Sequence, residues 1–247
     1  MNSNRQIKIV YEDKSLVVVD KPAGTVVNNS QTSREETVQE WFAATYKIHF
    51  SADADSEFAQ KGGVVHRLDK DTSGLLVLAK NPTSYENLKS QFLNRKVNKT
   101  YIALVHGEVD PEQGIISLPI TRNPEVWGKF TVGGDLARTA VTEWQRIANY
   151  KSGIENDDEK YSMLELKPLT GRTHQLRVHL KHLGYPIVSD LMYLGRRQSD
   201  KDLKWCPRMW LHAKKLSLKH PVFEKTMDFE CPIPADLATA LEKLVHL

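Results

Sequence analysis

His66-Arg67-Leu68-Asp69-Lys70-Asp71-Thr72-Ser73-Gly74 runs without a break into Leu75-Leu76-Val77-Leu78-Ala79. The second half decides the fold reading. A continuous apolar run opened by glycine suits a strand buried on both faces. The first half places carboxylates, cations and hydroxyls in a loop directly before that strand. Loops held by rigid strands are where catalytic groups tend to sit. Taken alone, a polar turn with solvated charges explains the segment equally well.

Working outward, two short strands are expected before it, Ile7–Tyr11 and Leu16–Asp20, around a turn at Glu12–Lys14. Lys21-Pro22-Ala23-Gly24 then breaks the pattern. A helix over Thr37–Lys47 has Val38, Trp41, Phe42 and Thr45 on one face, and Ser51–Gly63 reads as a mobile surface loop. After the run, Asn81-Pro82 starts a helix with Tyr85, Leu88 and Phe92 inward. Tyr101–Val105 reads as a buried strand. Ala140–Tyr150 and Tyr161–Pro168 read as a strand pair joined by the polar loop Lys151–Lys160. A helix over Thr173–Leu183 is closed by Gly184 and Pro186, Leu211–Leu218 is a late strand, and Pro234–Leu247 a terminal helix. Strands dominate without regular alternation with helices, which favours an α+β fold over a doubly wound one.

The chain of 247 residues is long enough to bury a core. We read it as a single domain, 1–247, with a core at about 7–234. Hydrophobic residues at 40% and charged residues at 26% are an ordinary globular balance. No apolar run approaches the ~18 residues that span a bilayer, and the N-terminus does not read as a secretory signal. Cys206 and Cys231 have no ligand-type spacing, so a reducing compartment, the cytoplasm, is expected. A net charge of +3 allows a local basic face for nucleic acid.

Three alternatives for chemistry are weak. Asp69-x-Asp71-x-Ser73-Gly74 matches the first half of a calcium loop, whose twelfth position must be glutamate; Lys80 stands there. His174, His179 and His182 lack the H-E-x-x-H zinc pattern. No glycine-rich phosphate loop or dinucleotide fingerprint occurs, so neither a metal nor a nucleotide cofactor is expected.

Two further segments stand out. Lys99-Thr100-Tyr101-Ile102-Ala103-Leu104-Val105-His106-Gly107 reads by itself as a core strand. In Thr170-Gly171-Arg172-Thr173-His174-Gln175-Leu176-Arg177-Val178-His179, helical spacing puts His174, Arg177 and Lys181 on one face. Leu176, Leu180 and Leu183 lie opposite. That predicts a basic stripe turned outward or into a cleft, most simply a solvated one.

Together, in this order, the three segments resemble the motifs of the RluA-type pseudouridine synthase family. H-R-L-D-x-x-T-S-G is complete over His66–Gly74, K-x-Y-x-A-x-V-x-G over Lys99–Gly107, and T-G-R-x-H-Q-L-R-x-H over Thr170–His179. Weaker features are Tyr11-Glu12-Asp13, Asp20-Lys21-Pro22-Ala23-Gly24, Ala140-Val141-Thr142-Glu143-Trp144, Leu211-His212-Ala213 and His220-Pro221. Trp144 stands where the family more often has tyrosine.

The resemblance implies a pseudouridine synthase fold. This is a mixed, mostly antiparallel central sheet flanked by helices and loops, with the cleft across the sheet. It implies isomerisation of uridine in ribosomal RNA, transfer RNA or both, without metal or cofactor. Asp69 matches the catalytic aspartate, Arg177 its charge partner and Tyr101 the tyrosine that stacks on the target uracil. Arg67 matches an arginine that fills the place of the extruded nucleotide. Arg172, His174 and Lys181 would meet phosphates. The small basic RNA-binding domain of many relatives has no room before Ile7, so the catalytic domain alone would choose the RNA. A monomer is expected. The competing expectations are an inactive RNA-binding or RNA-folding protein on this scaffold, and a hydrolase using Asp69 and His66.

Overall fold

A computed structural model describes residues 6–29, 36–49, 55–153 and 158–247. In chain order the first elements are β1 (Lys8–Glu12), β2 (Leu16–Lys21), α1 (Val38–Tyr46), α2 (Glu57–Lys61), β3 (Ser73–Ala79), α3 (Pro82–Leu93) and β4 (Asn98–His106). Then come β5 (Gln113–Ser117), β6 (Ile120–Arg122), β7 (Phe130–Val132), β8 (Val141–Ser152), β9 (Lys160–Pro168) and α4 (Gln175–His182). The last are α5 (Arg196–Asp202), β10 (Leu211–Lys219), β11 (Thr226–Glu230), α6 (Ala235–Leu241) and β12 (Leu244–His246). Twelve mostly antiparallel strands and six helices among the described residues make an α+β fold. The chain forms two compact units, residues 1–99 with 213–231, and residues 100–212 with 232–247.

The first unit is built on the apolar run. β3 is buried at every position, and strands follow the order β1-β2-β3-β10-β11. β2 pairs with β3 antiparallel, Val18 opposite Val77 and Lys21 opposite Gly74. Leu16, Val18, Leu75 and Val77 share a core with Tyr85 and Leu88 of α3 and Leu216, Leu218 and Phe229 of the β10–β11 hairpin. Gly74 is required where it stands. Its φ is +116°, and a Cβ there would lie 2.3 Å from the Ala213 carbonyl oxygen. Asn81 caps α3 by accepting from the Ser84 amide at 2.9 Å, with Pro82 at the first turn.

In the second unit the order is β4-β9-β8-β12, and β5 pairs with β8. Tyr101 of β4 lies opposite Leu166 of β9. Ile102, Leu104, Tyr161, Met163 and Trp210 form the main core with Leu237 and Leu244. A smaller cluster joins Ile120, Ala140, Val178 and Tyr193 under the β6–β7 hairpin.

Several expectations are corrected. Within Ser51–Gly63, residues 51–54 lie outside the described ones, and the rest includes α2. Ser56 Oγ accepts from the Ala59 amide at 3.2 Å and Gly62 closes the helix at φ +55°. The terminal helix stops at Leu241, and the tail turns into β12, which lays Leu244 against Ser152 of β8. Thr45 is exposed rather than inward on α1. In the loop Lys151–Lys160, residues 154–157 lie outside the described ones.

Candidate active site

Asp69 and Arg67 belong to the first unit; Tyr101, Arg172, His174, Arg177 and Lys181 belong to the second. Asp69 sits half-buried in the turn before β3, between buried Leu68 and buried Thr72, while Arg67 is exposed. Main-chain bonds shape this turn. The Thr72 amide donates to the Asp69 carbonyl at 3.2 Å, and the Gly24 amide to the Lys70 carbonyl at 2.8 Å.

Lys21 is fully buried at the end of β2. Its ammonium donates to the carbonyls of Pro22 (2.9 Å), Thr25 (2.9 Å) and Lys70 (3.0 Å). Desolvating an ammonium is costly unless its protons are bonded, and these carbonyls supply the bonds. One cation therefore clamps the 21–25 segment to the residue next to Asp69. The break at Lys21-Pro22-Ala23-Gly24 is visible in sequence; the clamp is not.

His66 is no general base. Its Nε2 accepts from the Val77 amide at 3.1 Å, and its ring stacks on Phe92 at 4.4 Å between centroids. Burial, with a smaller push from Lys99, drives its pKa down to about 3. The ring is thus neutral at pH 7 and braces the loop against β3. This removes the basis for a hydrolase using Asp69 and His66.

The third motif folds differently from its sequence reading. The helix starts at Gln175, because His174 takes a left-handed backbone at φ +55°. Positions 175–180 are all buried, including Arg177, so no basic stripe faces solvent. Gln175 explains the turn. Its Oε1 accepts from Thr170 Oγ1 (2.7 Å) and the Arg172 amide (3.0 Å). Its Nε2 donates to the Val141 carbonyl (2.9 Å) and Thr142 Oγ1 (3.0 Å). His179 adds a second pin. Its Nε2 donates to the Leu118 carbonyl at 3.0 Å and its Nδ1 accepts from Thr142 Oγ1 at 2.9 Å. Burial lowers its pKa, consistent with this neutral form. Both residues fasten α4 to β8, a role the motif pattern did not disclose.

Arg177 donates from Nε and Nη2 to the two oxygens of Asp190, each at 2.7 Å. Its guanidinium carbon stands 5.0 Å from the Tyr193 ring centroid. His174 Nδ1 lies 2.9 Å from Tyr193 Oη, so the same tyrosine touches both motif residues. Arg172 Nε donates to the Thr139 carbonyl at 3.0 Å, and Lys181 is exposed at the far end of α4. Tyr101 is buried on β4. Sequence reasoning missed Asp190. A lone aspartate inside the apolar stretch Pro186–Tyr193 was the available signal, since such a carboxylate needs a buried donor.

The family model described as RNA pseudouridylate synthase matches residues 15–182. The chain belongs to that family. It is 34% identical over 238 residues to an uncharacterized RNA pseudouridine synthase of Bacillus subtilis, covering 96% of this chain and 73% of the relative. It is 39% identical over 219 residues to ribosomal large subunit pseudouridine synthase D of Borreliella burgdorferi, covering 87% and 62%. Among solved structures, human RNA pseudouridylate synthase domain containing 1 aligns with a TM-score of 0.71 at 28% identity, covering 94% of this chain and 85% of that one. The activity class is that of an RNA pseudouridine synthase, an isomerase acting on RNA. Among the described residues no helix is long and apolar enough to cross a membrane.

Proposed function

We propose that this protein isomerises uridine in ribosomal or transfer RNA with Asp69 as its catalytic carboxylate. The observation that carries this is the Asp69 turn, held on one side by Lys21 and Gly24 and on the other by β3. A nucleophile on so constrained a turn keeps its direction through the reaction.

A uridine within a stack is out of reach, so the target nucleotide is extruded, with Arg67 filling the vacated place. Asp69 acts at the sugar or at the ring, or assists a glycal route. The glycosidic carbon–nitrogen bond breaks, the uracil turns, and a carbon–carbon bond forms to C5. The C5 proton then leaves, and the former glycosidic nitrogen gains one, so no redox partner is needed. Tyr101 stacks on the uracil and stands for proton removal from C5. Arg177 supplies the positive charge that balances the working carboxylate. Arg172, His174 and Lys181 meet phosphates. The reading includes one catalytic domain over 1–247, a monomer, no cofactor, and a place in the cytoplasm.

The test maps pseudouridine across total RNA with and without the gene, then supplies the purified chain. Restoration of the lost sites is expected, and Asp69→Ala should restore none while keeping its fold and RNA binding. An Asp69→Ala protein with full activity would falsify the assignment. A wild-type protein that binds RNA yet restores nothing would favour the inactive RNA-binding reading.

A further inference from the structure

Asp190 has no place in the chemistry above, yet it is 1% exposed. Besides the fork from Arg177, its Oδ1 accepts from the amides of Met192 (3.1 Å) and Tyr193 (3.2 Å). The carboxylate is thus fixed by its own following turn on one side and grips the guanidinium on the other. A bidentate grip sets the plane of a guanidinium as well as its position.

Tyr193 completes the arrangement. Its ring lies against the Arg177 guanidinium, and its hydroxyl accepts from the Phe130 amide at 2.9 Å. The same hydroxyl meets His174 Nδ1 at 2.9 Å. One phenol therefore joins Arg177 to the start of β7 and to the turn before α4. A buried ion pair is a poor device for stability alone, because desolvation offsets its attraction. Fixing the direction of a charge is what this pair does well.

We infer that Asp190 and Tyr193 are positioning residues that hold Arg177 in the orientation in which it serves the isomerisation. This rests on the reading that the chain is an active uridine isomerase with Arg177 in its machinery. Neither residue touches the reacting atoms; both act through Arg177.

The experiment measures pseudouridine formation in transcribed ribosomal and transfer RNA. Asp190→Asn keeps the shape and the Oδ1 acceptor but removes the charge and one arm of the grip. Its kcat should fall about 100-fold with KM within about twofold, as for a misdirected catalytic group. Tyr193→Phe keeps the ring and removes only the hydroxyl; a loss of about 10-fold in kcat is expected by the same reasoning. In an Arg177→Met background, Asp190→Asn should cause no further loss of kcat, since the group it positions is gone. A residue that merely supports the fold would lower kcat equally in both backgrounds, and that result overturns the inference. Wild-type kcat in both single variants also overturns it. Should Asp190→Asn fail to fold, Tyr193→Phe decides. A wild-type protein without activity on any RNA would instead remove the functional reading and leave the geometry as described.

Discussion

Around Asp69 the supporting contacts run to main chain. Lys21 reaches three carbonyls, and the Gly24 amide adds a further bond to Lys70. Around Arg177 they run from side chain to side chain, through Asp190 and Tyr193, with Gln175 and His179 pinning the helix beneath. The carbonyl clamp of the first arrangement depends on one side chain, the cation at position 21, because any residue offers a carbonyl; His66, Gly24 and Gly74 are the other identities it needs. The second depends on several side chains at once. Substitutions should therefore be tolerated widely across the Asp69 turn, Lys21, Gly24 and the motif residues apart, and narrowly around α4.

The hardest test of that contrast is Arg177→Met. Removing one electrostatic partner from the chemistry should lower kcat about 10²–10³-fold. It also leaves Asp190 buried without its cation, a loss of about 3–5 kcal/mol by urea unfolding. Equal stability with the wild type would show that the Asp190 pair contributes nothing to the fold.

Lys21→Met comes next. It keeps the stem and strips the carbonyls of their donor, so unfolding should be easier by about 2–4 kcal/mol. Hydrogen exchange at Gly24 and Thr72 should quicken more than exchange in β9. Uniform exchange across both units would mean that Lys21 does not clamp this turn.

His66 gives a smaller effect of defined sign. In the unfolded chain its ring titrates near 6.5, and in the folded chain at about 3. As pH falls below 6.5 the unfolded chain takes up a proton that the folded chain refuses. Stability is therefore lost as pH falls from 6.5 toward 3, by up to about 1.4 kcal/mol per pH unit, and this contribution is flat above 6.5. Urea midpoints at pH 7 and pH 5 should differ more in the wild type than in His66→Asn, where His179 still titrates with a lowered pKa. The smallest effect is expected at exposed Lys181. Lys181→Ala should leave kcat unchanged and reduce the salt dependence of RNA binding by about one in log–log slope.

Much of this was legible in the sequence, for a physical reason. The run at Leu75–Ala79 can only be satisfied by burial, so it announced β3 and the loop ahead of it. The three motifs, in order, named the family that the comparisons show. The individual roles were harder to read. His66 looks like a candidate base and His179 like one of a histidine cluster, and only their partners, Val77 and Leu118, show them to be neutral braces. The stripe of His174, Arg177 and Lys181 assumed a helix that covers all three, whereas the left-handed turn at His174 ends that periodicity. Asp190 is thirteen residues from Arg177, and a bidentate grip over that distance exists only once the chain has folded. The strands β6, β7 and β12 have three residues each, too few for an alternation to show.

The first unit takes its strands from two separate stretches, 1–99 and 213–231. During synthesis, β3 and α3 leave the ribosome long before Leu216, Leu218 and Phe229, with which they share a core. At about 5–20 residues per second, that interval is on the order of ten seconds. For that time the nascent chain shows a long apolar face to its surroundings. A stalled or truncated product would keep showing it, which makes residues 213–231 the segment whose arrival decides whether that face is covered or left to chaperones.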